Sequence, residues 1–180
     1  MGTMSYYPNI DAVLYFAESI FPLILARDPD ISWCIAGREP PKIVRQLARH
    51  PQIEIVANPE DMSAIAARCS LSVVPLRSGS GTRIKILHSM AMGLPVVTTN
   101  IGCEGLEAIN REHLLIRDRP ENFARAVLEL ICDRQVWQQL QLNSRQLVKD
   151  KYDWTAIFAD YEAKLMEMSG KVNYTHSHSS

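Results

Sequence analysis

No stretch of this sequence stays apolar for anything near the roughly 18 residues that suggest a membrane-spanning helix, so no integral membrane segment is expected. The opening residues, MGTMSYYPN, lack the basic flank and apolar stretch of a secretory signal. An excess of one charge is missing too. Lys and Arg number 19 against 20 Asp and Glu, a formal net charge of −1. That removes any global electrostatic case for nucleic acid or an anionic membrane as partner. The four cysteines, Cys34, Cys69, Cys103 and Cys132, form no CxxC pair. No metal site is expected at these spacings, and they read as reduced residues of a cytoplasmic protein. Internal repeats are absent. So are the two best-known phosphate signatures. GxxxxGK[ST] does not occur, and in Gly79-x-Gly81 the third glycine of GxGxxG is replaced by Ile84. No acidic cluster follows an early strand to hold magnesium, which argues against a receiver-like domain.

What is present is one domain's length, 180 residues, with 47% hydrophobic and 22% charged residues, as in a globular protein. Helical spacing of apolar residues runs from Pro8 to Arg27, with Pro8 suited to the first turn. Short apolar runs read as buried strands at 31–36, 53–57, 71–76, 95–99 and 113–116. Between them lie helices at 40–50, 59–69 and 84–92. From 122 to 168 the chain reads as helix, broken near Asp133 and again near Tyr152-Asp153. The alternation predicts an α/β fold, a Rossmann-like parallel sheet flanked by helices. The ligand of such a sheet sits at the carboxyl ends of its strands. The loops expected there are 37–41, 57–61, 77–82 and 99–105. Residues 1–168 form the domain, and 169–180 read as a disordered tail whose His176 and His178 are better read as a loose tail than as metal ligands.

The stretch RSGSGTRIKILHSMAMGLP, residues 77–95, carries the most chemistry. Gly79 and Gly81 permit positive φ and close backbone approach to a ligand, and Thr82 can cap the helix that follows. Arg77, Arg83 and Lys85 add positive charge where helix N–H groups already favour an anion. On that helix Ile84, Leu87 and Ala91 are expected to pack on the sheet, while Lys85, His88, Ser89 and Met92 line the cleft. A solvated turn before an ordinary surface helix fits the same residues. Glu104 and Glu107, around Gly105, can bind a ligand or cap a short helix. Arg38, after Gly37, faces the same end of the sheet, as a ligand contact or as an exposed ion-pair partner.

Taken together, GTMSYYPNIDAV, WCIAGREPP, VVPLRSGSGTRIKILHSMAMGLPVVTTNIGCEGL and KYDW resemble the C-terminal, donor-binding half of retaining glycosyltransferases of the GT-B fold, the large family 4. The resemblance spans residues 2–168. It implies a nucleoside diphosphate sugar as substrate and partner, with no metal cofactor. The diphosphate is expected on Gly79, Ser80, Gly81, Thr82, Arg83 and Lys85. The base and ribose are expected near Val56, Asn58, Asp61 and His88. Catalytic residues are not assigned. Cations and helix N–H groups aimed at the leaving diphosphate would stabilise the transition state.

The chain departs from the family pattern in two ways. Two glutamates eight residues apart usually flank this motif, and here those positions hold Ser80 and His88. A neutral imidazole accepts one hydrogen bond where a carboxylate accepts several. The acceptor-binding N-terminal domain is also not in this sequence, and the family's first, central strand ends near Gly2. Without that strand two neighbouring strands carry unpaired backbone groups. The expectation is edge-to-edge association of copies, a strand donated by another chain, or a rearranged sheet. Two functional readings follow: a donor-binding half that is inactive without a separate N-terminal domain, or a degenerate, non-catalytic GT-B-like interaction module.

Overall fold

A computed structural model describes residues 2–79 and 83–153. The chain opens with helix α1 (Tyr7–Tyr15), passes through one π-helical turn (Phe16–Ile20) and continues as α2 (Phe21–Leu25). The π turn ends two residues before Pro22, whose missing N–H cannot join an i→i−4 ladder. The Phe21 N–H bonds instead to the Phe16 carbonyl oxygen. This helical run is apolar and long enough to resemble a membrane span by composition alone, but Phe16, Ile20, Phe21 and Ile24 are buried in the protein's core.

Strand β1 (Trp33–Gly37) follows, then α3 (Lys42–Arg45) with a 3₁₀ turn over Gln46–Arg49, then β2 (Ile53–Ala57). Next come α4 (Met62–Ala66), β3 (Ser72–Val74), α5 (Ile84–Ala91), β4 (Val96–Thr98), α6 (Asn100–Cys103) and β5 (Leu115–Ile116). Two long helices complete the described chain, α7 (Pro120–Cys132) and α8 (Arg134–Lys151). Asp133 ends α7 and caps α8. Its Oδ1 accepts the N–H groups of Gln135 at 2.9 Å and Val136 at 3.1 Å, so the predicted break falls at the residue that makes it.

All strand pairs are parallel, as the βαβ alternation requires, but the described strands form two sheets rather than one. β1 pairs with β2, and β3, β4 and β5 form the other sheet in that order. Among the described residues no strand lies between β1 and β3, where the central strand was expected to be missing or replaced. Its trace is one parallel bridge between Thr3 and Arg38. The main core lies between the sheets and the layer of α1, α2 and α7. There Phe16 stands 4.6 Å from the Trp33 ring centroid and 6.0 Å from that of Phe123. A second cluster joins Val74, Leu76, Ile86, Met90 and Val96 beneath α5.

Candidate functional site

The loops at the carboxyl ends of the strands are tied together by side chains. After β1, Glu39 adopts a left-handed φ of +52°, and its N–H bonds to Asn58 Oδ1 at 3.0 Å. Asn58 is itself left-handed, φ +51°, and its own N–H reaches the Gly37 carbonyl oxygen at 2.9 Å. Asn58 thus clamps the β1 and β2 loops. Asp61 is the N-cap of α4, accepting the Ser63 N–H at 2.7 Å. Val56, half-buried, lies opposite Ala36 in the ladder. Val56, Asn58 and Asp61 therefore lie on one short segment at the end of β2, while exposed His88 stands on α5 beyond β3.

Gly79 has φ +119°, a backbone conformation that favours glycine, and a Cβ there would stand a tight 3.2 Å from Pro8 Cβ at the start of α1. Ser80, Gly81 and Thr82 lie outside the described residues. Arg83 occupies the position directly before α5. Its side chain is buried, and Nη2 donates to the Gly79 carbonyl oxygen at 3.2 Å and to Glu104 Oε2 at 3.0 Å. Its Nε is buried without a hydrogen-bond partner among the described residues. Two residues on, Lys85 Nζ donates to Asn9 Oδ1, while Asn9 Nδ2 holds the Thr3 carbonyl oxygen at 2.7 Å. Burial, with the nearby Arg83 charge adding to it, pushes the Lys85 pKa below the ordinary lysine value. The structure thus gathers Gly79, Arg83 and Lys85 around one helix start and adds Asn9 and Glu104 to them.

Several expectations are corrected here. The face of α5 that packs inward carries Ile86, Ser89 and Met90, not Ile84, Leu87 and Ala91, and Ile84 is about half exposed. Apolar residues occur on both sides of this short helix, so spacing alone does not choose the face. Ser89 was expected to line the cleft. It is fully buried instead, with Oγ donating to the Lys85 carbonyl oxygen and hydrogen-bonded to Ser72 Oγ of β3, both at 2.9 Å. Arg77 does not join the cationic group. It pairs with Asp11 and lies over the Tyr15 ring, 4.4 Å from its centroid. Glu107 pairs with Lys151, and Glu104 closes α6 rather than opening a helix. Arg38 meets the N-terminal strand trace through its backbone, with Nη2 3.4 Å from Thr3 Oγ1.

The residue missed in sequence is Asn9, whereas the turn at Thr99–Gly102 opens the expected loop 99–105. Thr99 caps α6 by accepting the Gly102 N–H at 3.0 Å, and Thr98 Oγ1 donates to the Val74 carbonyl oxygen at 2.9 Å. The TTNIG run carried a capping signal, Thr three residues before Gly102.

In this α/β domain a glycine turn, a buried arginine and a half-buried lysine meet at one helix start. Residues 1–133 match the family model described as Glycosyl transferases group 1, and the chain belongs to that family. An uncharacterized 44.6 kDa protein from the cps region of Klebsiella pneumoniae is 23% identical over 167 residues, covering 88% of this chain and 43% of that protein. The chain therefore spans less than half the length of the curated relative it matches. The C-terminal domain of a group 1 family glycosyl transferase, LpcC from Francisella tularensis, superposes with a TM-score of 0.67 at 18% identity. That match covers 86% of this chain and 84% of that one. S. aureus TarM, in a structure with fondaparinux, alpha-GlcNAc-glycerol and UDP, gives a TM-score of 0.71 at 16% identity. It covers 90% of this chain and 34% of TarM. The fold is that of the C-terminal, Rossmann-like half of a GT-B glycosyltransferase.

Proposed function

We propose that this chain is the donor-binding half of a retaining family 4 glycosyltransferase. It binds a nucleoside diphosphate sugar and needs a separate acceptor-binding half for transfer. The observation that carries the reading is Arg83: a buried guanidinium at the start of α5, near a half-buried Lys85, with Nε unpartnered among the described residues. A buried cation without full pairing is costly, and an anion bound at the same helix start offsets that cost. In this reading the diphosphate meets Arg83, Lys85 and the loop 79–82. The base and ribose lie along Val56, Asn58 and Asp61, with His88 at the ribose. When the glycosidic bond breaks, the leaving diphosphate gains charge, and Arg83, Lys85 and the α5 N–H groups stabilise it.

The competing reading, a non-catalytic interaction module, draws on His88, which is exposed and holds a position where the resemblance expects a carboxylate. Calorimetric titration with UDP, GDP, ADP and their sugars separates the two. Micromolar binding of one nucleotide is the expected result. Absence of binding up to millimolar concentration favours the interaction module.

A further inference from the structure

The donors of Arg83 can be counted. Its side chain is only 6% exposed at the start of α5. Nη2 carries two hydrogens, and both are taken: one by the Gly79 carbonyl oxygen at 3.2 Å, the other by Glu104 Oε2 at 3.0 Å. Nε is buried and has no partner among the described residues. An anion that is to bond Nη2 must therefore displace one of the two groups already there.

The two groups differ in how readily they leave. The Gly79 oxygen belongs to a main chain turned at φ +119° against Pro8. Glu104 is a side chain 72% exposed, and its carboxylate regains hydration on release, so letting go costs little. Its backbone is tied down. The Glu104 N–H bonds to the Ile101 carbonyl oxygen at 3.4 Å, and the Leu106 N–H to that of Cys103 at 3.1 Å. Leu106 packs on the cluster beneath α5, and the Glu107 N–H donates to Tyr152 Oη at 2.8 Å. The side chain alone is left to swing, and the space beside it is open: no heavy atom lies within 4 Å of where a Cβ on Gly105 would stand. Charge selects the same residue. Lys85 is held by the neutral side chain of Asn9, whereas Arg83 carries a carboxylate.

We propose that Glu104 is a displaceable stand-in for the ligand's phosphate. In the ligand-free protein it occupies Arg83 Nη2; an incoming diphosphate takes that hydrogen, and the Glu104 carboxylate swings into water. The inference rests on reading the start of α5 as the diphosphate site. Like charges repel at contact distance, so the Arg83–Glu104 pair and the bound diphosphate exclude each other. With no ligand present, Glu104 keeps a buried guanidinium paired. It also sets selectivity. A ligand offering a single carboxylate gains nothing by the exchange, whereas a diphosphate brings more charge and more acceptor oxygens.

The test is calorimetric titration of the full chain with inorganic pyrophosphate. The proteins compared are the wild type, Glu104→Gln, Glu104→Asp, Arg83→Met and the double variant of Arg83→Met with Glu104→Gln. Gln removes the charge, and Asp keeps it but is one methylene too short to hold Nη2. Both are expected to bind pyrophosphate about three- to tenfold more tightly than the wild type. The double variant is expected to bind no more tightly than Arg83→Met, because the two residues act through one contact. Equal or weaker binding by Glu104→Gln, or by Glu104→Asp, would overturn the proposal. So would a gain from Glu104→Gln that survives in the Arg83→Met background, and so would absence of pyrophosphate binding in every variant. Pyrophosphate binding that ignores Glu104 sinks the exchange and leaves the donor-site reading standing. An exchange seen with pyrophosphate while UDP, GDP and ADP fail to bind sinks the donor-site reading and leaves the exchange standing.

Discussion

Arg83 Nη2 stands 3.0 Å from Glu104 Oε2, joining the start of α5 to the turn after α6 across 21 residues of sequence. The arginine side chain is only 6% exposed and the carboxylate 72%, so the pair is asymmetric. Water screens the glutamate, and its removal has a small effect on folding. Glu104→Gln is therefore expected to lower stability by less than about 1 kcal/mol in urea unfolding. Arg83→Ala is expected to cost more in stability, and at least tenfold in UDP, GDP or ADP affinity. Equal effects of both variants on nucleotide binding would contradict the division of roles between the two residues.

Lys85 should titrate as a partly desolvated base. Its folded-state pKa is lowered, so the unfolded chain holds the proton more tightly in the window between that value and the ordinary lysine value. Stability then rises with pH through this window, and it is lost as pH falls through the folded-state pKa. The lysine is half-buried and held by Asn9. Lys85→Met should abolish the alkaline rise in stability, while weakening nucleotide binding tenfold or more. Urea unfolding of both proteins between pH 7 and pH 11 checks the first part, and calorimetry the second.

His88→Glu tests the ribose assignment. A carboxylate accepts two hydrogen bonds from vicinal hydroxyls where imidazole accepts one. The added charge-assisted bond is worth about 1.5 kcal/mol, or roughly tenfold in affinity. Because His88 is exposed, the substitution should not disturb packing. Unchanged affinity for the bound nucleotide would remove His88 from the site.

The parts legible in sequence were those with a strong local cause. Asp133 marks its helix boundary because a short carboxylate caps a helix whatever surrounds it. The βαβ alternation predicted parallel pairing because short buried strands alternating with helices leave little choice. The face of α5 was not legible. Ile84 and Leu87 are as apolar as Ile86 and Met90, and only the tertiary bond from Ser89 to Ser72 shows which side is inward. Arg77 was misplaced for a similar reason: its partner, Asp11, lies 66 residues away in sequence. Asn9 holds Lys85 across 76 residues, and no local pattern signals such a pair.

Gly102 and Gly79 are both required, for different physical reasons. A Cβ at Gly102 would lie 2.1 Å from Thr98 Oγ1 and 2.9 Å from the Val74 carbonyl oxygen. That contact packs α6 directly against the ends of β3 and β4, and neither backbone can retreat without breaking the Thr98–Val74 bond. Gly79 instead meets Pro8 at 3.2 Å, a milder contact, and its constraint is its φ of +119°. Gly102→Ala is expected to cost about 2–3 kcal/mol through overpacking, and Gly79→Ala about 1–3 kcal/mol through backbone strain. Thr98→Ala removes the nearest clashing atom of Gly102→Ala, so the double variant should be more stable than the sum of the single effects predicts. The same Thr98→Ala change should give no such rescue of Gly79→Ala. Urea unfolding of the five variants checks both. Additive behaviour of Thr98→Ala with Gly102→Ala would mean that α6 relaxes away from the sheet instead of clashing with it.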